Sequence, residues 1–170
     1  MIKYFFILLI IYNIFVYKLF STEFSTEVTA NVNIDSYELP NKMKFSIYKD
    51  NHTWKNSRGD YGKGTCMGSI YRDKEDFLLD IFCEEIDQEK EKFWTRVRRG
   101  TGDEASGAGN IVYIGGTGKY VELIGTKCKY AVTYFDKELN FSKSICKQSQ
   151  TYSSGNKLIT LHLIEKSFEV

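Results

Sequence analysis

Beyond residue 42, no stretch of this chain sustains a helical apolar repeat over the about 10 to 12 positions that a helix needs. Short alternating runs stand there instead. In Met43–Tyr48, Met43, Phe45 and Ile47 lie on one side and Lys44, Ser46 and Tyr48 on the other. In Phe77–Ile86, Phe77, Leu79, Ile81 and Cys83 share a face, with Leu78, Asp80, Phe82 and Glu84 opposite. Lys63–Tyr71, Phe93–Arg99, Asn110–Ile114, Tyr120–Ile124, Cys128–Phe135, Asn140–Tyr152 and Leu158–Ile164 read as further strands. Between them lie a turn-rich segment, Asn51–Gly62, a charged solvated loop, Asp87–Lys92, and a small-residue loop, Gly100–Gly109. The series predicts an all-β fold, an antiparallel up-and-down barrel of about eight strands. Closure favours a barrel over a sandwich because it removes the strand edges. Gly64 and Gly68 inside a strand point to sharp coiling or close backbone approach.

The N-terminus reads differently. Lys3 precedes an apolar run from Tyr4 to Val16, broken only by Asn13 and followed by Lys18. That is the layout of a secretory signal peptide, and it is short for a membrane span of about 20 residues. Leu19 and Phe20 lengthen the run, so an uncleaved anchor stays open. No cysteine follows the run to take a lipid. The expected organisation is a leader or anchor helix at 1–21, a linker at 22–41 with room for a first strand such as Val28–Ile34, and a barrel domain at 42–170. The location is then periplasmic or secreted, and membrane contact is confined to residues 1–20. The 170 residues carry a formal net charge of +1, which provides no field for nucleic acid. A single proline and a high share of Phe and Tyr exclude a disordered chain.

The four cysteines, Cys66, Cys83, Cys128 and Cys146, read as disulfides in an exported chain. Cys66 and Cys83 are equidistant from the turn at Lys74–Glu75, and Cys128 and Cys146 from Lys137. Equidistant residues of an antiparallel hairpin face each other at a separation that a disulfide spans. Two cross-strand bridges therefore fit, and bridges between the two hairpins are the alternative. The cysteines lack Cys-x-x-Cys spacing and neither histidine stands at ligand spacing to them, so no metal site is expected. No cofactor motif is present.

Ile111–Tyr120 ends an apolar run in Gly115-Gly116-Thr117-Gly118-Lys119-Tyr120, with Gly125 beyond. A phosphate loop would need glycine at Tyr113 and Ser or Thr at Tyr120, and a dinucleotide fingerprint would need glycine at Val121. Both fail. The glycines read instead as a strand–turn–strand corner that uses positive φ. Gly115, Gly116, Gly118 and Gly125 together resemble the glycine corner of the allene oxide cyclase-like and dirigent-like β-barrels. The resemblance covers about residues 110–134. It implies an eight-stranded barrel with an apolar cavity, related in shape to lipocalins. It carries no catalytic residue onto this chain, because Val121-Glu122-Leu123 departs from the family pattern and none of the enzymes' residues can be placed.

Trp94, Arg96 and Arg98 share one face of Phe93–Arg99, with Glu84 near them across a hairpin. Turned inward, they would line a site for an anionic amphipathic ligand. The opposite arrangement has Phe93 and Val97 inside and the arginines in water. Asp60, Tyr61 and Lys63 read as a plain turn, with a barrel mouth as the alternative, and His162 reads as a satisfied core or surface histidine rather than a base. The expected function is binding of a small apolar or amphipathic molecule. The alternatives are an isomerase or cyclase using the cavity and an envelope interaction module.

Overall fold

The computed structural model describes residues 23–74, 76–100 and 106–148. Eight strands form a closed barrel: β1 (Glu23–Glu38), β2 (Lys44–Asn56), β3 (Tyr61–Arg72), β4 (Phe77–Asp87), β5 (Lys92–Arg99), β6 (Ser106–Gly116), β7 (Lys127–Tyr134) and β8 (Leu139–Lys147). Each pairs antiparallel with the next, and β8 returns to β1 through a register running from Glu23 opposite Lys147 to Asn31 opposite Leu139. The leader, Leu158–Ile164 and His162 lie outside the described residues.

Four expectations change. The linker at 22–41 is mostly strand β1. Its inward series Phe24, Thr26, Val28, Ala30, Val32, Ile34 alternates with polar residues, and that polarity disguised it. The first half of the turn-rich Asn51–Gly62 is strand: β2 runs to Asn56, because Asp50 and His52 face inward and are hydrogen-bonded there. Ser106–Gly109 belongs to β6. Tyr120–Ile124 is not a strand but part of a 3-10 helix, Gly118–Leu123.

That helix closes one end of the barrel. Gly118 at φ +48° turns the chain across the opening, and Gly125 at φ +86° returns it to β7. Tyr120 and Leu123 drop into an aromatic cluster with Phe24, Trp54, Phe93 and Tyr113. Phe93 is its hub, with ring centroids 5.2 Å from Trp54, 5.3 Å from Tyr113 and 4.6 Å from Tyr120. The corner glycines divide their work. Gly115 and Gly116 are strand residues, and a Cβ on Gly116 would stand 2.5 Å from the Tyr120 carbonyl oxygen. Between β5 and β6 the register shifts, so that Trp94 faces Gly115 but Thr95 faces Tyr113. This bulge keeps Tyr113 pointing inward.

A second buried cluster, with Ala30, Val32, Tyr48, Ile70, Phe77, Leu79 and Ile81, fills the other half of the barrel. Both disulfides join directly opposed residues, Cys66 to Cys83 and Cys128 to Cys146, each with Cα atoms 4.0 Å apart.

Candidate functional site

Between the two clusters the lumen turns polar. Two inward rows run side by side around the wall. In one, Asp50 of β2 faces Cys66, which faces Cys83, which faces Thr95. In the next, His52 faces Gly64, which faces Glu85, which faces Phe93. Because Gly64 has no side chain, His52 and Glu85 meet across it. A Cβ there would fall 2.6 Å from both His52 Nε2 and Glu85 Cδ.

His52 Nδ1 lies 2.6 Å from Asp50 Oδ1, and Nε2 lies 2.9 and 2.8 Å from the two Glu85 oxygens. Tyr48 donates its hydroxyl to Asp50 Oδ2 at 2.6 Å, which extends the chain of hydrogen bonds from Tyr48 to Glu85. All four are buried. Burial opposes the charge on His52, but the hydrogen bonds to Asp50 and Glu85 outweigh it and push the imidazole up to about 10. The histidine is an imidazolium that donates both N–H groups. Burial raises the Glu85 carboxyl, with His52 pulling it back. Burial also raises the Tyr48 phenol, and the adjacent Asp50 adds to this.

This cluster borders a cavity of about 110 Å³. Val28, Ala30, Ile81 and Val97 supply apolar wall, and Arg99 and Tyr130 bring further polar atoms from β5 and β7. Arg99 is buried, its guanidinium carbon 4.8 Å from the Phe77 ring centroid. Gly107 makes room for it, since a Cβ at that position would collide with the guanidinium.

The site read from sequence lies elsewhere. Phe93, Thr95, Val97 and Arg99 face the lumen, so Trp94, Arg96 and Arg98 stand on the outer wall. The expectation that they line the interior is corrected: both faces of β5 carry mixed residues, and neighbouring strands decide between them. Glu84 is also outside, directly opposite Trp94. It accepts from Trp94 Nε1 at 3.0 Å and from Lys92 Nζ at 2.8 Å. The arginines pair with Asp80, whose carboxyl is held below the usual range chiefly by the Arg96 hydrogen bond.

The aromatic end carries a second polar arrangement. Lys119 Nζ reaches Asp60, Asp87 and Glu89 at 2.7, 2.9 and 3.1 Å. The Asp87 side chain is fully buried; its Oδ1 accepts the Glu89 and Glu91 amides and its Oδ2 the Tyr120 hydroxyl. The Asp87–Lys92 segment is therefore a built cap as well as a solvated loop. Asp60 belongs to it, whereas Tyr61 and Lys63 are exposed.

Sequence reasoning missed Tyr48, Asp50, His52 and Glu85, although a signal existed. Extending the Phe77–Cys83 face by two reaches Glu85. Tyr48, Asp50, His52 and Trp54 form a period-two series in β2. Ligand atoms of Asp50, His52 and Cys66 lie within 4.8 Å of one another, as do those of Cys66, Cys83 and Glu85. The chain matches no protein-family model and no curated protein.

Proposed function

We propose that this chain is an exported β-barrel protein that holds one small amphipathic molecule in its lumen, in the manner of the allene oxide cyclase-like and dirigent-like barrels. The observation that carries this reading is the cavity of about 110 Å³, with apolar walls and Tyr48, Glu85, Arg99 and Tyr130 converging on it. An apolar cavity of about 150 Å³ accepts benzene, so the smaller volume here favours a ligand of at most about six non-hydrogen atoms over a fatty acid or polyphenol. Export rests on the leader and on two disulfides, which are consistent with an oxidising compartment.

The test is native mass spectrometry of the protein purified from the envelope of its host, before and after denaturation. A small mass lost on denaturation supports the binding reading and supplies the ligand mass. A clean apo mass removes that support.

A second reading is an isomerase or cyclase. The observation favouring it is a carboxyl with a raised pKa, Glu85, on the same cavity as Tyr48 and Arg99, which is the equipment for proton transfer to a bound molecule. Glu85→Gln separates the two. A carrier keeps its bound molecule unchanged, whereas an enzyme accumulates unconverted substrate.

A further inference from the structure

The disulfide Cys66–Cys83 does not stand alone in the lumen. Cys66 Sγ is 4.0 Å from His52 Nδ1, and that nitrogen is 2.6 Å from Asp50 Oδ1. Asp50, Cys66 and Cys83 occupy one inward row of three adjacent strands, and His52 projects from the next. Glu85 holds the far nitrogen of the ring. Two sulfurs, one imidazole nitrogen and one carboxylate oxygen thus come from three hydrogen-bonded strands, with the ring oriented by a second carboxylate.

We infer that the reduced form of this chain holds a zinc ion between Cys66, Cys83, His52 Nδ1 and Asp50, so that the disulfide and the metal are alternative states of one site. This inference is independent of the ligand reading. Cys sulfur, His nitrogen and Asp oxygen are all zinc ligands, and four of them make a closed tetrahedral shell; the partner of His52 Nε2 is what a metal-bound histidine takes. The distances fit. Zinc bonds of about 2.3 Å to sulfur and 2.0 Å to nitrogen at a tetrahedral angle separate the two donors by about 3.6 Å, close to the present separation. The sulfurs must part to about 3.8 Å, which is a side-chain movement within reach of directly opposed residues.

The chemistry balances. A trialkylphosphine takes the oxygen of one water and becomes the phosphine oxide, while the two sulfurs gain the electron pairs and the two protons of that water. Zinc then displaces both thiol protons and the Nδ1 proton of His52 to solvent. Cys128–Cys146 is an internal control, since it packs in the aromatic cluster and no metal-ligating group among the described residues stands with it.

The experiment uses the full exported protein, oxidised or reduced with the phosphine, titrated with cobalt(II) and then zinc. The expected result is one equivalent of cobalt on the reduced protein only. It shows tetrahedral d–d bands and a thiolate charge-transfer band, both lost when zinc displaces the cobalt. His52→Gln keeps both thiols and weakens binding at least tenfold. Zinc slows alkylation of Cys66 and Cys83 at least tenfold in the wild-type protein, read by peptide mass spectrometry, and leaves Cys128 and Cys146 unaffected. That second readout needs no variant, so it decides the matter even where His52→Gln does not fold. Three results overturn the inference: no charge-transfer band, equal protection of all four thiols, or a reduced chain that loses its β circular dichroism and does not regain it with zinc.

Discussion

His52 and Glu85 are 33 residues apart and meet across the empty inner face of Gly64, with His52 Nε2 2.8 Å from the nearer carboxyl oxygen. The contact depends on a missing side chain as much as on the two that make it. Small residues along the inner face of β3 leave room for the large inward residues of β2, from Tyr48 to Trp54.

Gly64→Ala therefore displaces two buried partners at once. The expected cost is about 2 to 4 kcal/mol, because a buried charged group loses its partner. Urea unfolding measures it, and Gly59→Ala, at a position with open space but positive φ, sets the scale of backbone strain alone.

Stability should fall with rising pH above neutrality. The folded His52 value, about 10, stands above its ordinary value of 6.5. Its contribution is complete below 6.5 and is lost as pH rises through 10. Between those limits the native state holds one proton more than the unfolded chain, a slope of at most about −1.4 kcal/mol per pH unit. The raised Glu85 acts in the same direction, favouring the folded state at low pH and ceasing to do so as the carboxyl ionises. Urea midpoints at pH 7 and 9.5 should differ in the wild type, and His52→Gln should flatten the difference.

Lys119→Ala leaves the buried Asp87 beside Asp60 and Glu89 without their shared cation. The lysine tip is about a third exposed, so solvent screens part of the loss. The expected cost is about 1 to 2 kcal/mol, between the values for exposed and buried pairs. Arg98→Ala on the outer wall should stay within about 0.5 kcal/mol. Denaturant midpoints of the two variants test the contrast.

Each disulfide closes a local hairpin loop, with sequence separations of 17 and 18. Replacing Cys128 and Cys146 together by alanine should cost about 3 kcal/mol in the chain-entropy model. The intact mass of the untreated chain should lie four hydrogens below that of the reduced chain, two for each bridge.

Much of the barrel was legible because its pairing is local. Every strand neighbours the next in sequence, and both cysteine pairs sit symmetrically about their turns, so alternation and turn position predict the hairpins. The glycine corner was legible as a reversal but not as a helix. A strand and a 3-10 turn share apolar residues such as Tyr120 and Leu123, and only packing over the barrel end separates them.

The amino-acid sequence by itself determined the all-β class and made a bridge across each hairpin fit, because alternation and turn position act within a few tens of residues; the closed structure decided that pairing over bridges between the hairpins. The tertiary structure decided which face of each strand is inside. On β5, Trp94, Arg96 and Arg98 against Phe93, Thr95, Val97 and Arg99 is an even contest until closure commits the whole sheet to one phase, because a one-residue change would turn every side chain over. It also decided that Asp50, His52 and Glu85 form a site. Burial in the closed lumen makes a polar group costly without a partner, and the register across Gly64 brings those partners together.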